Sequence, residues 1–62
     1  MKIIFTVSTD NIIEFADTLF ENDLTNEIVG TTEDDCVQIE VTYNRENRHC
    51  LENLEDLAET DE

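Results

Sequence analysis

The residues of this chain that could do chemistry are mostly carboxylates, standing in short runs or at helical spacing. Glu33-Asp34-Asp35 and Glu55-Asp56 come nearest to a cation site and to an acid/base pair. A calcium loop needs oxygens at alternate positions and a glycine at a fixed place, because its ligands must converge on one ion while the backbone turns sharply. Glu33-Asp34-Asp35 is consecutive and no glycine follows it, so it reads as a solvated turn. Two carboxylates working as acid and base need surroundings that drive their pKa values apart, and an exposed helix face offers none. His49, the only histidine, adjoins Cys50. On a helix neighbouring residues point ~100° apart, so these two are not expected to share a ligand or a proton. Cys36 and Cys50 form no CxxC pattern and no disulfide framework. They read as two reduced thiols, with Cys50 a small core residue. The expectation is a protein that is not an enzyme and needs neither cofactor nor metal.

Charge narrows the function further. The chain has 62 residues, 17 of them acidic and 3 basic, for a net charge of -14. Phosphate backbones and anionic lipid heads repel such a surface, which argues against direct contact with nucleic acid or membrane. The longest apolar run, Ile3-Ile4-Phe5, is far short of the ~18 residues that cross a bilayer. A secretory signal is not expected either, since Thr6, Ser8, Thr9 and Asp10 break up the stretch after Lys2. An intracellular, cytoplasmic protein is expected. Leu, Ile, Val and Phe together make 29% of the chain, above the ~20% below which a strongly charged chain stays disordered. Residues 1–62 therefore read as a single folded domain.

Periodicity supplies the elements that would hold these side chains. Residues 2–8 put Ile3, Phe5 and Val7 on one side and read as a strand. Asn11 with Glu14 three residues on has the form of a capping box. Ile12, Ile13, Phe15, Ala16, Leu19 and Phe20 then fill a helical arc of roughly 160°, opposite Glu14, Asp17, Thr18 and Glu21. Residues 26–32 are β-branched and hold the only glycine, Gly30, which signals a bulge or a close backbone approach in a second strand. Residues 36–43 alternate without fault, Val37, Ile39, Val41 and Tyr43 inward and Cys36, Gln38, Glu40 and Thr42 outward. Asn44 suits the cap of a second helix whose apolar stripe is Cys50, Leu51, Leu54, Leu57 and Ala58. Its polar side carries Arg48, Glu52, Glu55, Asp56 and Glu59, with Arg48 and Glu52 as an i,i+4 pair.

The order is β-α-β-β-α. One-sided helices and a one-sided best strand predict a two-layer α+β sandwich, a three-stranded sheet with both helices on one face. A right-handed crossover from the first strand to the second leaves a place between them for the third. This order resembles the ferredoxin-like fold lacking its last strand. That likeness implies an open sheet edge over residues 3–7, which is either blunted by Lys2, paired in a homodimer, or added to the sheet of a target.

The carboxylates are then one-sided. Glu14, Asp17 and Glu21 line the outside of the first helix and Glu52, Glu55, Asp56 and Glu59 that of the second, while the opposite sheet face is nearly neutral. Stability does not ask for this. Acids at a helix C-terminus oppose the macrodipole by typically ~0.3–1 kcal/mol each. Here Glu21 and Asp23 end one helix, and Glu59, Asp61 and Glu62 end the other. Solubility is met in small domains by net charges of ~2–8. A cationic protein surface explains the excess better: carboxylates three or four residues apart rise ~4.5–6 Å along a helix, comparable to the ~3.4 Å per phosphate of a nucleic-acid strand.

In size and acidity the chain resembles phage-encoded inhibitors of bacterial defence, the anti-CRISPR and anti-restriction proteins that mimic DNA. The resemblance implies a nucleic-acid mimic that occupies the basic, nucleic-acid-binding surface of a target protein. Two other readings fit the same composition. One is an acidic regulatory or antitoxin-like partner of a basic protein. The other is a salt-adapted soluble domain with no mimicry role.

Overall fold

The computed structural model describes residues 1–61; Glu62, assigned above to the end of the second helix, lies outside the described residues. The chain order is β1 (Lys2–Ser8), α1 (Ile12–Glu21), β2 (Thr25–Thr31), β3 (Cys36–Thr42), a 3-10 turn (Arg48–Cys50), α2 (Leu51–Leu57) and β4 (Thr60–Asp61). Strand β3 lies between β1 and β2 and runs antiparallel to both. The β1-α1-β2 crossover spans β3, as the α+β sandwich requires. Phe5 pairs with Ile39 and Ile3 with Val41 across the β1/β3 ladder, so the alternating apolar residues of both strands share one face.

Both helices pack on that face. A single buried cluster holds Phe5, Val7, Ile39 and Val41 from the sheet, Phe15 and Leu19 from α1, Leu24, and Cys50, Leu51 and Leu54 at the start of α2. Phe5 and Phe15 meet edge-on with ring centroids 5.4 Å apart, the geometry that the ring quadrupoles favour. The helices lie side by side and antiparallel. The Asn11 Nδ2 group donates to the Leu57 carbonyl at 3.4 Å at one end, and the Cys50 thiol donates to Asn22 Oδ1 at 3.0 Å at the other.

Asn11 is indeed the residue before α1, but its side chain makes no capping bond; it is spent on α2 instead. Helix α1 stops in a Schellman motif. Leu24 N–H donates to the Leu19 carbonyl and Asp23 N–H to that of Phe20, with Asp23 in the left-handed region at φ 53°. Leu19 and Leu24 are both buried and supply the apolar contact that accompanies this motif. The register of β2 against β3 shifts between Ile28 and Gly30, the bulge that the glycine signalled. Glu33-Asp34-Asp35 is the hairpin turn between β2 and β3. Thr32 N–H closes it on the Cys36 carbonyl at 2.9 Å, and Thr32 Oγ1 accepts the N–H groups of Asp34 and Cys36.

The second half departs from the sequence expectation in three places. Asn44 does not cap a helix: its Oδ1 accepts the N–H groups of Glu46 and Asn47, and Asn47 Oδ1 accepts that of Asn44 at 2.7 Å. This reciprocal pair folds a turn ahead of the 3-10 segment. Helix α2 ends at Leu57, because Ala58 is extended at φ -87°, ψ 152°. The last strand of the ferredoxin-like order is present after all. Glu59 N–H donates to the Thr6 carbonyl at 2.7 Å, and Thr60 and Asp61 pair with Thr6 and Phe5. The edge expected to stand open over residues 3–7, and with it the proposed homodimer edge, is therefore occupied at its centre by the chain's own β4. The uncovered edge is β2.

Phe5 and Phe15 are fully buried, and truncating a buried Phe costs ~3–5 kcal/mol. A single core of this size supplies about that much in total. Phe5→Ala is expected to leave the chain largely unfolded at 25 °C, read as loss of the far-UV dichroism and of the cooperative urea transition.

Candidate functional site

Of the seven carboxylates expected to form the site, all are solvent-exposed: Glu14, Asp17, Glu21, Glu52, Glu55, Asp56 and Glu59. Helix α1 holds the first three at i, i+3 and i+7, turned away from Phe15 and Leu19. Helix α2 holds Glu52, Glu55 and Asp56, turned away from Leu51 and Leu54. Because the helices are neighbours on one sheet face, these six share the helical side of the molecule. Among the described residues the one ion pair is Lys2 with Glu40, 3.4 Å, on the opposite sheet face. Six carboxylates thus face solvent with no cation within salt-bridge distance among the described residues.

Glu59 does not belong to this set. With α2 ended at Leu57, it sits in the bend that enters β4, beside Thr6, Ser8, Thr32, Asp34 and Cys36 in a shallow cleft on the far side of the sheet. The Arg48–Glu52 pair is likewise absent from the ion pairs found. Arg48 precedes α2 in the 3-10 turn, and both residues instead wall an open cleft of about 470 Å³ with Ile3, Tyr43, His49, Leu51 and Glu55. That flank of the helical side is mixed in sign, whereas every charged residue of α1 itself is acidic.

The 3-10 turn also overturns one expectation about the thiol. Its geometry brings His49 Nε2 to 3.5 Å from Cys50 Sγ, so the two side chains do meet. The contact does not form a nucleophilic triad. Cys50 is only 5% exposed, and the Asn22 oxygen accepts from the thiol itself where a triad would have it orient the imidazole. Cys36 and Cys50 are both free. The described residues hold no group of three or more His, Cys, Asp or Glu placed to share a metal ion, and no helix among them is long and apolar enough to cross a membrane.

The apolar arc that periodicity gives α1 is only partly buried in the structure. Phe15 and Leu19 are buried and Ile12 is partly covered, but Ile13 is 81% and Phe20 85% exposed, with Ala16 exposed between them. Ile28 of β2, on the same side of the sheet, is 67% exposed. The usable signal was the width of the arc, since roughly 160° is more than one sheet contact covers. Comparison with protein-family models, with curated proteins and with solved structures returns no match.

The carboxylates at the end of α1 oppose its dipole, and Asp23 holds a left-handed conformation that glycine or asparagine fills at lower cost. Glu21→Lys and Asp23→Asn are each expected to raise stability by about 0.3–1 kcal/mol, measured as an upward shift of the urea midpoint with an unchanged slope.

Proposed function

We propose that this chain is a non-enzymatic acidic binding protein that occupies the basic, nucleic-acid-binding surface of a target protein in the cytoplasm, as a nucleic-acid mimic of the anti-CRISPR or anti-restriction type. The observation that carries this reading is the row of Glu14, Asp17 and Glu21 on α1 beside Glu52, Glu55 and Asp56 on α2, exposed and unmatched by cations on a rigid helical layer. Rigidity matters. A row of charges fixed along a helix presents repeating anionic positions without the ordering cost that a flexible acidic tail meets on binding. The row from Glu14 to Glu21 rises about 10.5 Å along α1, the axial length of roughly three phosphates of one nucleic-acid strand.

The electrostatics set the manner of binding. Long-range attraction between a net charge of -14 and a cationic groove accelerates encounter and is screened by salt over ~10 Å at 0.1 M. Contacts at the rim of such an interface govern the on-rate more than the affinity.

The test is displacement of labelled duplex DNA from purified restriction and CRISPR effector proteins, followed by fluorescence anisotropy between ~50 and ~200 mM salt. The full chain is expected to release DNA from at least one of them, less effectively as salt rises. Reversing Glu14, Asp17 and Glu21 to Lys, or Glu52, Glu55 and Asp56 to Lys, is expected to abolish release while the far-UV dichroism stays native. Inhibition that survives both sets of reversals sinks the reading.

A further inference from the structure

The exposed apolar residues of α1 are not scattered. At ~100° per residue Ala16, Phe20 and Ile13 fall within a 60° stripe between the buried face (Phe15, Leu19, Ile12) and the carboxylate row (Asp17, Glu21, Glu14). Helix α2 lies on the other flank, where Asn11 and Asn22 touch it, so the stripe faces the β2 side. There the sheet is bare: β2 is its outermost strand, and Ile28, paired with Ile39 and hence on the helix-covered face, has no helix above it. Toward the start of β2 this bare margin deepens into an open trough of about 320 Å³, lined by Ala16, Leu19, Phe20, Asp23, Leu24 and Asn26.

Nothing in the fold needs Phe20 or Ile13 to be apolar at 85% and 81% exposure. Single exposed apolar groups are unremarked on most proteins, but a contiguous set along a groove marks a contact surface. Its surroundings state the chemistry of the occupant. Asp17 and Glu21 flank the stripe along α1 and Asp23 closes its end. No cation pairs with these carboxylates among the described residues: Arg48 lies in the cleft beyond α2, Lys2 bonds Glu40 on the opposite sheet face, and Arg45, exposed in the turn after β3, makes no ion pair. A second copy, also at -14, brings like charges to those carboxylates, and anionic lipid does the same.

We infer that the trough between α1 and β2 is the anchor of the interface and docks a cationic amphipathic helix of the target protein. The apolar face of that helix lies on Ile13, Ala16, Phe20 and Ile28, and its Lys or Arg residues reach Asp17, Glu21 and Asp23. Ile13, Ala16 and Phe20, at i, i+3 and i+7, form one apolar row along α1, the kind of ridge against which a second helix packs. This rests on the reading of the chain as a binder of basic proteins, and locates the contact on the α1 flank.

The test uses the full chain, isotopically labelled, and two synthetic probes of equal charge: a leucine/lysine peptide of about four helical turns with its leucines on one face, and an oligolysine. The amphipathic peptide is expected to bind at least ~10-fold more tightly, shifting the amide resonances of Ile13, Ala16, Phe20, Leu24 and Ile28. Ile13→Ser with Phe20→Ser is expected to erase the difference between the probes. Both residues are exposed, so the native fold of this double variant is checked by its spectrum. Equal binding of the two peptides, with shifts confined to the carboxylate rows, overturns the inference and leaves the acidic-binder reading standing. Failure to bind either peptide sinks both. Self-association of the wild type that the double variant abolishes also overturns the inference, by giving the trough to a second copy.

Discussion

One constraint shapes this molecule: a chain of 62 residues can build only one apolar layer, and both helices must share it. The layer is the inward face of β1 and β3, where Phe5, Val7, Ile39 and Val41 are all but inaccessible to solvent. The buried side chains of α1 and α2 converge on those two central strands, whereas every residue of β2 but Gly30 is exposed. The remaining surface features are displaced to the margins of that contact. The carboxylates line the outer surfaces of the helices, β4 closes one border of the sheet in two residues, and β2 is left without a cover at the other.

Much of this was legible in the residues. Strands β1 and β3 alternate with a period of two, and α1 segregates its charges, so their positions followed from patterning alone. The turn at Glu33-Asp34-Asp35 and the bulge beside Gly30 were also marked by residue type. What was not legible depended on tertiary contacts or on very short segments. Strand β4 has two residues, too few to show any period, and it exists because Glu59 N–H finds the Thr6 carbonyl. Asn11 and Asn44 have the right type for helix caps, but one is drawn to Leu57 and the other to Asn47. Such residues bond whichever backbone or side-chain group is nearest, and the competition is decided by packing.

The candidate surface was legible in the same uneven way. That Glu14, Asp17, Glu21, Glu52, Glu55 and Asp56 would be exposed followed from helical spacing. Glu59 was misplaced because nothing in Leu57-Ala58-Glu59 marks a stop; the helix ends where the chain must extend to reach the edge of β1. Phe20 and Ile13 lie on the apolar arc as their spacing indicates, yet they are exposed. Hydrophobic periodicity reports that a side chain prefers to leave water. It does not report whether this chain or another provides the cover.

Charge and apolar area do different work on such a surface. Carboxylates held by a rigid helix attract a basic partner over a distance comparable to the Debye length, yet exposed ion pairs contribute only about 0–1 kcal/mol apiece once formed. An acidic face alone thus associates quickly and lets go quickly, and any polycation satisfies it. Apolar burial supplies the opposite properties. It is short-ranged, depends on shape, and yields roughly 25 cal/mol for each Å² removed from water. Discrimination among cationic partners requires a term that most of them cannot satisfy. In this fold the α1 flank sets an apolar trough directly beside the acidic row, whereas the α2 flank sets Arg48 and His49 beside its acids. The two helices are therefore unequal as contact surfaces, and a partner drawn in by the whole negative field has physical reason to come to rest on α1.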